Sequence, residues 1–151
     1  MQPTDSTKFT FLTAVNQVTQ TEKFRIAQFL HKHLGKYGDP QKDILKCLDY
    51  ATSYFNHQGG FVLLAEENGE IIGAVVMNQT GMEGYIPENI LVYIAVHENQ
   101  RGKGLGKQLM QKAIDFSKGG IALHVEPDNP ARFLYEKLGF TSKYLEMRRV
   151  K

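Results

Sequence analysis

A chain of 151 residues is long enough for one domain with a substantial core and too short for two comfortable ones. Hydrophobic residues make up 42% and charged residues 23%, which is ordinary for a soluble globular protein. Formal net charge is +2 and the basic residues are dispersed rather than striped, which argues neither for nor against a nucleic-acid partner; none is expected. The longest apolar runs fall far short of a membrane span, and Met1 to Lys8 is polar with no signal-peptide core. No membrane association is expected, and a cytoplasmic location follows by default.

In chain order, Phe9 to Val15 alternates loosely and reads as a first strand. Glu22 to Leu34 puts Phe24, Ala27, Leu30 and Leu34 on one helical face, and Gly35-Lys36-Tyr37-Gly38-Asp39-Pro40 breaks the pattern. Ile44, Leu45, Leu48, Ala51, Tyr54 and Phe55 build a second helix that stops before Gly59-Gly60. Phe61 to Ala65 is a strand, Asn68-Gly69 is a strong two-residue turn signal, and Ile71 to Met77 is the hairpin partner. A loop rich in Gly and Glu, Gln79 to Glu88, leads into Ile90 to Val96, an apolar, β-branched run that reads as a buried strand. A glycine-rich stretch follows. Leu105, Leu109, Met110, Ala113, Ile114 and Phe116 then recur at helical spacing until Gly119-Gly120. Ile121 to Val125 is a fifth strand. Pro130 fits the first turn of a short helix, Gly139 fits just past its end, and Ser142 to Val150 is expected to add a last strand or two. The order predicts a single-domain α/β fold, a mixed sheet with helices on both faces, over residues 1–151.

The stretch Gln100-Arg101-Gly102-Lys103-Gly104-Leu105-Gly106 joins a buried strand to an amphipathic helix. Its glycines strip side chains from the loop, so backbone N–H groups can close on a ligand. The first N–H groups of the helix lack partners within it, and the dipole there is positive. Arg101, Lys103 and Lys107 add fixed positive charge. The segment is an anion cradle, suited to a phosphate or pyrophosphate. A P-loop is excluded, because Gly106-Lys107 is followed by Gln108 and Arg101 stands where the first glycine belongs. A dinucleotide fingerprint would use Gly102 and Gly104, but Lys107 replaces its third glycine; Glu126 does mimic the acidic ribose ligand.

The run Arg101-Gly102-Lys103-Gly104-Leu105-Gly106 resembles the Arg/Gln-x-x-Gly-x-Gly/Ala signature of the GCN5-related N-acetyltransferases, the GNAT family. Tyr93-Ile94-Ala95-Val96-His97 resembles that family's fourth strand. Asn129-Pro130-Ala131-Arg132-Phe133-Leu134-Tyr135-Glu136-Lys137-Leu138-Gly139-Phe140 is similar to its second cofactor segment, a helix carrying a tyrosine and ending at Gly-Phe. The resemblance implies the GNAT architecture, in which the fourth and fifth strands splay apart at one end. It also implies acetyl-CoA (coenzyme A) as cofactor, held by Arg101 through Lys107, with its arm along Ile94, Ala95 and Val96. Asn129 carries over from the family's asparagine with a one-residue shift, since Asp128 occupies the usual spacing from Tyr135. Asn129 before Pro130 is also a natural helix cap.

Acetyl transfer to an amine requires a held anionic cofactor, a stabilised oxyanion, a neutral amine and a proton for the leaving thiolate. An alkylamine has a pKa of about 10, so a base is useful. Tyr135 matches the family's tyrosine, which acts as general acid near the cofactor sulfur. Some family members place a glutamate on the fourth strand where this chain has Ile90. Glu88 lies two residues earlier on the same face, and His97 and His124 are the other well-placed groups. A water relay, or an acceptor that arrives neutral, remains open. His31, His33 and His57 have no metal-ligand spacing, so no metal is expected. The lone Cys47 reads as a small helix-core residue.

Tyr37, Asp39, Glu83, Tyr85 and Glu88 are the candidates for an acceptor site built by the first two helices and the 79–88 loop. The expected partner is a small-molecule or protein amine, and a homodimer stays open. The leading function is an N-acetyltransferase. The alternatives are a coenzyme A-binding regulatory module without turnover and a dinucleotide-binding oxidoreductase.

Overall fold

The computed structural model describes residues 6–53 and 57–151, so the expected helical positions Tyr54 and Phe55 lie outside the described residues. β1 (Thr7–Leu12), α1 (Gln20–Leu34), α2 (Gln41–Ala51), β2 (Gly60–Glu67), β3 (Glu70–Gln79), β4 (Asn89–Val96), α3 (Leu105–Phe116), β5 (Ile121–Leu123) and α4 (Ala131–Lys137) follow in that order. The strands lie side by side in chain order, with β1 to β4 antiparallel and β4 parallel to β5. The parallel step needs a crossover, and α3 supplies it. An antiparallel majority is not the doubly wound parallel sheet that a dinucleotide site requires, which removes the oxidoreductase alternative.

Local chemistry sets the boundaries. The Thr19 hydroxyl accepts from Glu22 N–H at 3.2 Å and starts α1. The helix ends where Gly35 takes a φ of +57°. Asn68 and Gly69 both have positive φ, as the tight turn of a right-twisted hairpin demands. Thr13 and Asn16 cap each other in a short 3₁₀ turn, which stops β1 at Leu12 rather than Val15. At Gly73 an added Cβ would lie 2.6 Å from Leu109 Cδ1, so glycine lets α3 settle against β3.

The sheet has a core on each face. α1 and α2 pack Ile26, Leu30, Ile44 and Leu48 against Val62, Leu64, Ala74, Val76 and Tyr93. α3 and α4 pack Leu105, Leu109, Met110 and Tyr135 against Leu63, Val75, Met77 and Leu91. Phe116 stacks on Phe11 at 4.1 Å and closes the second core toward β1. Cys47 lies in α2 with its sulfur 3.3 Å from Asn78 Nδ2, and burial pushes the thiol pKa up to about 12.

Two sequence expectations are corrected. β5 ends at Leu123, not Val125. The tail from Ser142 to Val150 forms no strand and is exposed, with Tyr144, Leu145, Met147 and Val150 all open to solvent. Its apolar residues do not alternate, and Lys143, Glu146, Arg148, Arg149 and Lys151 interrupt them. No helix among the described residues is long and apolar enough to cross a membrane.

Candidate active site

The site begins where two strands part. β4 and β5 pair only from Asn89–Ile121 to Leu91–Leu123. Beyond Leu91 the edge of β4 that faces β5 has no strand partner among the described residues. A bulge lies at the same point: Met77 pairs with Leu91 and Val76 with Tyr93, so Val92 is the extra residue. Bulges bend a strand and increase its twist, which turns β4 away from β5. Val92 and Tyr93 therefore both pack toward α1 and α2, while Ile94 and Val96 face α3 and α4 and Ala95 returns to the first core.

The loop after α1 roofs this gap. Lys36 Nζ pairs with Asp128 at 3.1 Å, and the Tyr37 hydroxyl donates to Asp128 O at 3.1 Å. On the other side of the gap the Tyr93 hydroxyl donates to Asp39 Oδ2 at 2.5 Å. Lys36, Tyr37 and Asp39 thus tie the segment after β5 to the middle of β4. Burial and the nearby Asp39 carboxylate both raise the Tyr93 pKa well above the ordinary phenol value.

The mouth of the gap is the glycine loop. Gly102 and Gly104 hold φ of +78° and +85°, and a Cβ at either would meet nothing within 4 Å. The space outside the loop is open. Gly104 caps α3 without a side-chain hydrogen bond. The Gln108 N–H reaches Gly104 O at 3.1 Å; among the described residues nothing accepts from the N–H groups of Leu105, Gly106 and Lys107. Lys103 and Lys107 are exposed. Arg101 is spent differently: its guanidinium donates to Val96 O at 3.3 Å and His33 O at 2.9 Å. The His33 and His97 rings lie 4.4 Å apart beside it, tilted by 39°, and join the end of α1 to the start of the loop. Burial, then His97, Lys32 and Arg101, lower the His33 pKa against a smaller opposing pull from Glu98.

The remaining residues divide. Tyr135 is 7% exposed, and its hydroxyl bonds to no described residue. Burial alone pushes its pKa up to about 12. His124 is exposed just past the end of β5. Asn129 Oδ1 accepts from Ala131 N–H at 2.9 Å, a local turn bond at the entry to α4, whose N-cap position is Pro130. Glu88 stands before Asn89, at the paired end of β4 and away from the gap. Its carboxylate accepts from Gly120 N–H at 2.7 Å and Gly84 N–H at 3.4 Å, and the Gly120 bond leads the lowering of its pKa. Glu88 braces the 79–88 loop against the segment before β5, a structural role beside the expected one as base. Glu83 and Tyr85 are exposed on that same loop, also at the far end.

Sequence reasoning missed Tyr93 as a site residue and missed Lys36, His33 and Asp128. The signal at Tyr93 was a polar-tipped ring inside an otherwise aliphatic run.

The acetyltransferase (GNAT) family profile matches residues 24–140, and the chain belongs to that family. It is similar to N-alpha-acetyltransferase 30 of Schizosaccharomyces pombe, at 34% identity over 107 residues, 66% of this chain and 71% of that one. Among solved structures it is similar to the ribosomal-protein-S18-alanine N-acetyltransferase from Escherichia coli, with TM-score 0.66, 19% identity, and coverage of 91% of this chain and 80% of that one. It is also similar to an aminoglycoside N-acetyltransferase in complex with CoA, with TM-score 0.68, 17% identity, and coverage of 96% and 94%. The fold is the α/β GNAT fold, and the protein is an acyltransferase.

Proposed function

We propose that this chain transfers the acetyl group of acetyl-CoA to a primary amine by direct attack of the amine on the thioester. The observation that carries the reading is the roofed gap between β4 and the segment after β5, with a buried tyrosine on one side and an anion cradle at its mouth. The residues fit the cofactor. The N–H groups of Leu105, Gly106 and Lys107 suit a pyrophosphate, and the open space outside Gly102 and Gly104 leaves room for it. The unpaired edge of β4 along Ile94, Ala95 and Val96 suits an extended amide-bearing arm. Asn129 supports that end by fixing the turn into α4.

When bound, acetyl-CoA supplies an activated carbonyl and a thiolate leaving group. Tyr135 donates a proton toward the departing sulfur; its raised pKa keeps it protonated at every working pH. His124, exposed beside the gap, receives the amine proton directly or through water. The acceptor enters from the α1–α2 side, past Tyr37 and Asp39. It is a small-molecule amine or a protein amine; the relatives named above carry the names of enzymes of both kinds.

The test is free-thiol release from acetyl-CoA across a broad panel of amines. Amine-dependent release is expected. A second reading, a coenzyme A-binding module without turnover, draws on the absence of an acidic side chain along β4 and on the commitment of Glu88 to backbone N–H groups. Tight coenzyme A binding with no thiol release from any amine would favour it.

A further inference from the structure

Asp39 is an unusual carboxylate in this protein. It is exposed, and among the described residues no cation pairs with it. The other aspartates of this side of the molecule are paired: Asp43 with Lys46 at 3.8 Å, Asp49 with Lys23 at 2.8 Å, Asp128 with Lys36 at 3.1 Å. Nor does Asp39 cap α2, whose N-cap Pro40 receives no side-chain bond. Its one hydrogen bond comes from below, from the Tyr93 hydroxyl to Oδ2. Tyr93 is 6% exposed and fixed in the first core, so its hydroxyl holds the carboxylate in place from inside the sheet. No described residue donates to Oδ1, which is left for something outside the fold.

The place matters as much as the charge. Tyr93 is the residue before Ile94, on the part of β4 that has left β5. Asp39 therefore stands over the gap at a tyrosine's reach from the strand, and Asp128, across the gap, is already neutralised by Lys36. A carboxylate next to the reacting nitrogen would raise that nitrogen's pKa and hold it protonated, against the needs of the attack. A carboxylate set off from the strand meets a different demand. It can hold a second cation of the acceptor while the reacting amine loses its proton.

We propose that Asp39, positioned by Tyr93, is a specificity-determining residue that selects acceptors carrying a second positive charge, that is, small di- and polyamines. This deepens the acetyl-transfer reading above and rests on it for the site's location. A charge-assisted bond of this kind, partly open to water, supports a preference of about tenfold.

The experiment compares diaminobutane with butylamine as acceptors for the wild type, Asp39→Asn, Tyr93→Phe and, as a control, Asp43→Asn. For the wild type, kcat/KM should favour the diamine about tenfold. Asp39→Asn should reduce that ratio to near unity, mainly through the diamine KM, with coenzyme A affinity unchanged. Tyr93→Phe should lower the ratio partway, because the charge remains but its support is gone. Asp43→Asn should leave the ratio as in the wild type. If Asp39 only satisfies the Tyr93 hydroxyl, Asp39→Asn lowers kcat/KM for both amines alike and the ratio stays fixed; that result overturns the proposal. A parallel melting series with coenzyme A present separates this from the acetyl-transfer reading. Should no amine turn over, diaminobutane must still raise Tm in the wild type and not in Asp39→Asn. If it does, the transfer reading fails and the diamine site stands; if it does not, the diamine site fails as well.

Discussion

Leu91 and Tyr93 stand two residues apart on one strand, yet Leu91 enters the core under α3 and Tyr93 the core under α1 and α2. The bulge at Val92 reverses the alternation between them. It does so one residue beyond Leu91, the last residue of β4 that pairs with β5. The same irregularity therefore lies where the gap opens and turns a tyrosine toward α1 and α2.

Tyr135→Phe removes a hydroxyl that bonds to no described residue and keeps a ring packed 6.0 Å from that of Phe140. Tm and coenzyme A affinity should change little. The turnover number should fall roughly ten- to a thousandfold, the range for a lost general acid, with the acceptor KM moving less. The loss should shrink with a thioester whose leaving thiol is more acidic. Wild-type turnover by the Phe variant, with chemistry rate-limiting, would return Tyr135 to a packing role.

Gly104→Val should separate folding from cofactor binding. An L-residue forced to a φ of +85° costs about 1–2 kcal/mol, which lowers Tm without unfolding the chain. The branched side chain would project into the open space outside the loop. Coenzyme A affinity, read by calorimetry, should drop more than about tenfold. Gly104→Ala carries the backbone strain with less bulk and should lose less affinity. Equal losses in the two variants would assign the effect to strain alone.

Glu88→Gln tests the bracing role. An amide accepts the Gly120 and Gly84 N–H groups less strongly than a carboxylate, so Tm should fall while turnover stays within about twofold of wild type. The carboxylate's pKa is lowered in the folded state, so its stabilisation is present above the unfolded value of 4.5 and fades as pH drops through the folded one. The Gln variant should lack that acid-side loss. A collapse of turnover with Tm unchanged would restore Glu88 as the base.

His33 gives a pH dependence of its own. Its pKa is lowered below the unfolded value of 6.5, so the unfolded chain takes up the proton first. Stability is full above that value and declines as pH falls from it toward the folded pKa. Melting curves between about pH 7 and 5 should show this decline, and His33→Gln should flatten it. A wild-type curve as flat as the variant's would mean that the ring pair does not resist protonation.

The sheet, its hairpin and four helices were legible because their signals are local: alternation, an Asn-Gly turn, glycines at helix ends. The glycine loop before α3 was legible for the same reason, since Gly102 to Lys107 is one short segment. The roof was not. Lys36, Tyr37 and Asp39 meet Asp128 and Tyr93 only through the fold, across separations of 54 to 92 residues. Arg101 was placed by position alone; its side chain was free to turn back onto Val96 and His33. Strand parity says which face Glu88 takes and not which end of β4 parts from β5, so its place at the paired end was not legible. The tail was given strands that its mixed charges and broken alternation do not support.

Cys47 is half-covered in α2, hydrogen-bonded to Asn78, and its thiol pKa is about 12. At neutral pH it is essentially without thiolate, the form that reacts with disulfides and alkylating agents. The protein's own thiol should therefore add little background to assays that count free thiol, so the proposed release of coenzyme A can be followed without first removing the cysteine.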